Sequence, residues 1–283
     1  REEMLKDIGI KSIDELFSRV PSNVKLKRPL NIPDGLSEQR VLRKLEELAG
    51  KNKIYKSIFR GAGAYNHYIP AIVDSIAGKE EFLTAYTPYQ PEISQGILQT
   101  IFEYQTMICR LTGMDASNAS VYDGATAAAE AVGMCRERTK NKVLISGTVN
   151  PQITETVKTY CFGSDTPYEI LPTPHGGTDS SLIKDSGASC IIVQQPNFYG
   201  IIEDLEGICT VAHEFGVKVI VSCNPIVLAM LKTPAECGAD IAVGDAQPLG
   251  LPLSVGGPYL GFMACTSAMT RKLPGRIVGE TTD

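Results

Sequence analysis

Near the end of the sequence two apolar runs, IAVG and YLGFMAC, bracket the polar, glycine-rich turn DAQPLGLPLSVGGPY. A turn that follows a buried strand is where α/β enzymes hold reactive side chains over the sheet edge. From Asp245 to Tyr259, however, there is no Lys, Cys or His. The turn has the frame of an active site but no thiol, no imidazole and no amine that could form an imine.

Four other stretches could carry chemistry. VYDGATAAAEA ends a strand, passes through Gly124 and starts a helix of small residues carrying Thr126. Free N–H groups at a helix N-terminus bind phosphate, and small residues let it approach. The same residues would also let the helix pack closely on a sheet, and both readings stay open. QQPNFYG follows CIIVQ, so Asn197 and Tyr199 could touch a ligand, or Pro196 and Gly200 could simply shape a turn. The loops FRGAGAYNHYIP and FLTAYTPYQPEISQG are rich in tyrosine. The first lacks the glycine that a G-x-G-x-x-G needs at position 66, which is Asn66, and no strand precedes it, so a dinucleotide site is not expected.

Of the three histidines, His213 lies on a helical pattern and His175 in a surface loop. Only His67, beside Tyr65 in the NHY loop, has neighbours that suggest a site. No Ser/His/Asp or Cys/His arrangement can be read. The eight cysteines (109, 135, 161, 190, 209, 223, 237 and 265) are widely spaced and mostly inside apolar runs, as buried free thiols are.

The elements that must position these groups follow from periodicity. Ser12 and Glu15 have the spacing of a capping box before DELFSRV. SEQRVLRKLEELAG puts Val41, Leu42, Leu45 and Leu48 on one helical face and stops at Gly50. Residues 1–66 are expected to be a helical and extended arm, and 67–283 a larger domain. In that domain Ile97, Leu98, Ile101 and Phe102 mark a helix. Strands ASVY, KVLIS, YEILP, CIIVQ, KVIVS, IAVG and YLGFMAC then alternate with helices at 125–138, 152–160, 204–215 and 225–231. Short β-branched strands separated by helices predict an α/β domain with a mainly parallel sheet buried on both faces.

Apolar residues at 43% and charged residues at 21% fit an ordinary globular enzyme. A net charge of -5 argues against nucleic acid, which needs a concentrated basic surface. The densest basic stretch, Lys51, Lys53 and Lys56, reads as a solvated face. The start REEMLKDIGI lacks the apolar core of a signal peptide, and no run approaches a membrane span of about 20 residues, so a cytoplasmic protein away from membranes is expected.

Long stretches resemble one family: FRGAGAYNHYIPAIV, FLTAYTPYQPEISQGILQTIFEYQTMICRLTGMDASNASVYDGATAAAEA, QQPNFYGIIEDL and GADIAVGDAQPLGLPLSVGGPYLGF. They are similar to the N-terminal subunit of two-subunit glycine decarboxylases, the P component of the glycine cleavage system. The resemblance implies the fold type I architecture of pyridoxal-phosphate enzymes: an arm, a large domain with a seven-stranded sheet, and a C-terminal small domain that lies past VGETTD, making this sequence a piece of its subunit. It implies glycine decarboxylation, with transfer of the aminomethyl group to the lipoyl arm of H-protein. The catalytic sister subunit carries a His-Lys pair at the late turn and an Asp after an earlier strand. Here Gln247 and Pro248 stand in the first place and the 222–224 stretch in the second, so Gly124, Thr126, Asn197, Gln247 and Pro248 form a degenerate cofactor site. The pyridoxal phosphate would then be held covalently by the sister subunit. Tyr86, Tyr89, Gln90 and Glu92, with Tyr65 and His67 behind them, become the expected contributors to the sister's glycine pocket. The rival readings are a self-sufficient enzyme with an unrecognised lysine and a scaffold remote from the chemistry.

Overall fold

The structure, a computed structural model, describes residues 1–59, 64–83 and 87–282, with Leu83 known by its backbone only. It divides into two compact units, Arg1–Phe59 and Arg60–Asp283.

The smaller unit contains helices α1 (Glu2–Ile8) and α2 (Glu38–Ala49). α2 stops at Gly50 as its sequence predicts, and Val41, Leu42, Leu45 and Leu48 share one exposed face. The expected capping box does not form. Ile13–Phe17 is a short 3₁₀ turn whose Ser12 makes no side-chain cap, while Glu15 Oε1 accepts a hydrogen bond from the backbone N–H of Lys11. In a 3₁₀ turn the Glu15 N–H, which a Ser12 side-chain cap would take, instead bonds the Ser12 carbonyl at 3.2 Å.

In the larger unit, α3 (Ala71–Ala77), α4 (Glu80–Leu83) and α5 (Pro91–Thr112) precede the sheet. The strands are β1 (Ala116–Ser117), β2 (Lys142–Ser146), β3 (Tyr168–Leu171), β4 (Ala188–Gln195), β5 (Lys218–Cys223), β6 (Ile241–Asp245) and β7 (Gly261–Cys265). Helices α6 (Gly124–Cys135), α7 (Pro151–Gly163) and α8 (Leu205–Glu214) lie between them. The sheet order is β1-β7-β6-β5-β4-β2-β3, with β7 antiparallel to both its neighbours and the other pairings parallel.

Strand alternation explains the core. Leu144, Ile191, Val193, Val219 and Val221 face one side with Ile108 of α5 and Ile208 and Ala212 of α8. Val143, Ile145, Ile192, Ile220 and Val243 face the other with the alanines of α6 and Val157 of α7. Because both faces are covered, the strands read as continuous apolar runs.

Two expected elements differ. ASVY (119–122) is not a strand: β1 lies before it at Ala116–Ser117, Ser120 has φ 139°, and Val121 makes an isolated bridge to Gly261. The expected helix 225–231 shrinks to a 3₁₀ turn at Val227–Ala229. There Asn224 Oδ1 accepts the Ile226 N–H, a local Asx turn that competes with helix formation, and Met230 is left exposed. Among the described residues no helix is long and apolar enough to cross a membrane.

Candidate functional site

The carboxyl ends of β4, β5 and β6 and the N-terminus of α6 enclose a cleft of about 400 Å³. This is the edge where open parallel sheets gather ligands. Tyr65, Gly124, Asn197 and Pro248 line it, as do Ser222, Cys223 and Asn224 at the end of β5. Among the described residues no Lys, Arg or His lines it, whereas Asp123 and Asp245 both do.

Those two carboxylates decide what the α6 N-terminus can do. Asp123 caps the helix, its Oδ1 accepting from the Thr126 N–H at 2.7 Å and the Thr126 hydroxyl at 2.8 Å. Asp245, at the end of β6, accepts from the Gly124 N–H at 3.3 Å and from the Gln247 N–H at 2.9 Å. Gly124 permits this approach, since a Cβ there would stand 2.9 Å from the Asp245 nitrogen. The Gly124 and Thr126 N–H groups, two of the donors that could have met a phosphate, are therefore engaged by the protein's own anions. Gly124 thus serves the close packing that VYDGATAAAEA allows, and the Asp245 carboxylate takes its N–H. Burial pushes the Asp245 carboxyl above its ordinary value and the negative charge of Asp123 adds to this, against the opposing hydrogen bonds from Gln247 and Gly124.

Gln247 itself is buried beneath the cleft, with its Nε2 donating to the Leu251 carbonyl at 2.7 Å. It ties the turn together and does not line the cavity. Pro248 does line it. Cys223 is no substitute nucleophile, because burial pushes its thiol up to about 12.

Asn197 turns out to organise the loop. Its Nδ2 donates to Gly176 O and Glu203 Oε1, each at 2.8 Å, and its Oδ1 accepts from the N–H groups of Tyr199 and Ile201. Glu203, buried and paired only with neutral donors, also accepts from the Thr148 hydroxyl and the Thr178 N–H, both at 2.9 Å. This network fixes QQPNFYG against the cleft wall. Sequence reading missed Glu203 and Asp245 because nothing local marks partners that lie 55 and 121 residues away, whereas Asp123, three residues before Thr126, has the spacing of a helix N-cap that could have found it.

The remaining expected residues lie elsewhere. His67 Nδ1–H donates to the Tyr65 carbonyl at 2.9 Å and stands outside the lining. Tyr89, Gln90 and Glu92 are exposed at the start of α5, and Tyr86 lies outside the described residues. His213, on α8, bonds Asp240 Oδ2 at 2.9 Å. All eight cysteines are free thiols. Among the described residues no group of three His, Cys, Asp or Glu side chains could hold a metal.

Pyridoxal phosphate asks a cleft for an amine, an anion opposite the ring nitrogen and free donors for its phosphate. Among the described residues this cleft offers no amine, neutral Ser222 and Asn224 at the end of β5, and Gly124 and Thr126 N–H groups already held by carboxylates. The cleft of this chain does not fit that cofactor.

All of residues 1–283 match the family described as glycine cleavage system P-protein. The chain is 51% identical, over its whole length, to the probable glycine dehydrogenase (decarboxylating) subunit 1 of Syntrophomonas wolfei subsp. wolfei (strain DSM 2245B / Goettingen), covering 66% of that relative. It is likewise 51% identical to the protein of that name from Desulforamulus reducens (strain ATCC BAA-1160 / DSM 100696 / MI-1), covering 65% of it. Among solved structures, a glycine decarboxylase (P-protein) of the glycine cleavage system in inhibitor-bound form superposes with a TM-score of 0.92 at 42% identity, over all of this chain and 64% of that one. An aspartate aminotransferase from Thermus thermophilus shares the fold alone, with a TM-score of 0.50 at 15% identity over 70% of this chain and 57% of that one. The chain thus spans just under two-thirds of the length of the relatives it matches.

Proposed function

We propose, from the premise that this chain belongs to the glycine cleavage system P-protein family, that it is the cofactor-free subunit of a glycine decarboxylase. The assembled enzyme would bind glycine, release carbon dioxide and pass the aminomethyl group to the lipoyl arm of H-protein. Pyridoxal phosphate would supply the electron sink, held on a lysine of a sister subunit. The subunit 1 names of the relatives support the existence of such a sister.

The single observation that carries this reading is the cleft. It has the position and frame of a fold type I active site, yet its late turn presents Pro248, and its helix N-terminus is occupied by Asp123 and Asp245. A chain with that cleft contributes to catalysis through surfaces other than its own sheet edge. Tyr89, Gln90 and Glu92, exposed at the α5 start, are proposed to face the sister's glycine pocket together with Tyr86. Tyr65 and His67 are proposed to stand behind them.

The test is glycine–bicarbonate exchange by the sister subunit with and without the full-length form of this subunit. Exchange that requires both chains supports the reading. Full exchange by the sister alone would overturn it.

A further inference from the structure

The segment after the last strand is hydrogen-bonded to Gln105 within α5 and to the loop before that helix. Asn118, fully buried, donates from Nδ2 to the Pro274 carbonyl at 2.8 Å. The Ala119 N–H donates to the Arg276 carbonyl at 2.8 Å. Gln105, on α5 and 7% exposed, grips Val278 from both sides: its Nε2 donates to Val278 O at 2.8 Å and its Oε1 accepts the Val278 N–H at 3.0 Å. Between these fixed points Arg276 reaches the loop before α5. Its Nη1 donates to the Pro88 carbonyl at 2.8 Å, and its guanidinium carbon lies 5.2 Å from the centre of the Tyr89 ring.

We propose that Arg276 is a positioning residue for glycine decarboxylation: it clamps Pro88 and the Tyr89 ring from a strap anchored by Gln105 and Asn118, and so sets where that loop presents its aromatic face. The inference rests on the reading that the Tyr89 loop contributes to the sister's pocket. Tyr89 is 77% exposed, so packing against its own domain does not orient it. A planar guanidinium can hydrogen-bond the carbonyl and stack on the ring at once, which a lysine ammonium cannot do with the same fixed geometry. Burying Gln105 and Asn118 to hold a strap whose Arg276 lands on this loop makes sense where loop position matters, because misplacing a contact by about 1 Å can cost up to about a hundredfold in rate.

The experiment uses the full-length subunit assembled with its sister. Arg276→Ala, Arg276→Lys, Tyr89→Ala and the double variant Arg276→Ala/Tyr89→Ala are compared in glycine–bicarbonate exchange, and hydrogen exchange of peptides covering 87–93 is followed in the same complexes. Arg276→Ala should lower kcat/KM for glycine by about tenfold, Arg276→Lys should recover only part of it, and the double variant should be no worse than Tyr89→Ala, as expected of coupled residues. Backbone exchange at 87–93 should rise in Arg276→Ala. Unchanged protection in Arg276→Ala, or losses that add in the double variant, would overturn the proposal while leaving the Tyr89 loop in the pocket. Raised exchange with Tyr89→Ala fully active would show that the loop reading fails, and Arg276 with it as a positioning residue.

Discussion

Adding a lysine to the cleft should not create a cofactor site. Pro248 lines the cleft, so Pro248→Lys would bring an amine to its wall. The phosphate of pyridoxal phosphate would still need the N-terminus of α6, where Gly124 N–H donates to Asp245 and Thr126 N–H to Asp123. An anion taking those donors would sit about 4 Å from each carboxylate. At an effective dielectric constant of about 20, a pair of like unit charges at that separation repels by about 4 kcal/mol. That corresponds to a loss of nearly a thousandfold in affinity for each fully charged carboxylate. Asp245 contributes less than this limit, since burial already favours its neutral form. Pro248→Lys alone is therefore expected to take up the cofactor no better than the wild type, and Pro248→Lys with Asp245→Asn to gain at least about tenfold. The assay is equilibrium binding of pyridoxal phosphate to the full-length subunit, followed by borohydride reduction and peptide mapping at position 248. A stoichiometric adduct on Pro248→Lys alone, unaffected by Asp245→Asn, would refute the argument that the carboxylates close the site.

Two further outcomes follow from the same geometry. Because the folded state raises the Asp245 pKa, it holds that proton more tightly than the unfolded chain does. This contribution is present below the ordinary aspartate value of about 4 and is lost as pH rises through the raised one. The melting temperature of Asp245→Asn relative to wild type should thus climb from about pH 4 toward neutrality; a fall over the same range would mean that the hydrogen bonds to the charged form dominate. Glu203→Gln replaces an acceptor that meets three donors with a group that must itself donate, at a cost of about 2 kcal/mol, or a melting point lower by roughly 4–8 °C, with 196–200 losing protection first. An unchanged melting point would remove Glu203 as the organiser of that loop.

Much of the fold could be read from the chain because its signals are local. KVLIS, CIIVQ, KVIVS and IAVG are strands since each is buried on both faces, and the residues between them keep helical spacing. What failed was decided by single side chains. Asn224 turned an apolar helical pattern into a 3₁₀ turn, and with a positive φ at Ser120 ASVY forms an isolated bridge at Val121 in place of a strand. At the cleft, the absence of lysine from the 245–259 turn was plain in the sequence, as were Gly124 and Asn197. The reason the helix terminus is closed was not, because Asp245 and Gly124 meet only through the sheet. Asn197 looked like a ligand contact because its loop follows a strand, and only the pairing with Glu203 shows that its hydrogen bonds are already used.

The central claim is that this chain completes an enzyme whose cofactor sits on another chain. Borohydride reduction of the assembled full-length complex, followed by mapping of the labelled peptide, tests it most directly. The account predicts one pyridoxyl-lysine on the sister subunit and none on this chain. A pyridoxyl group found stoichiometrically on any lysine of this chain would contradict it.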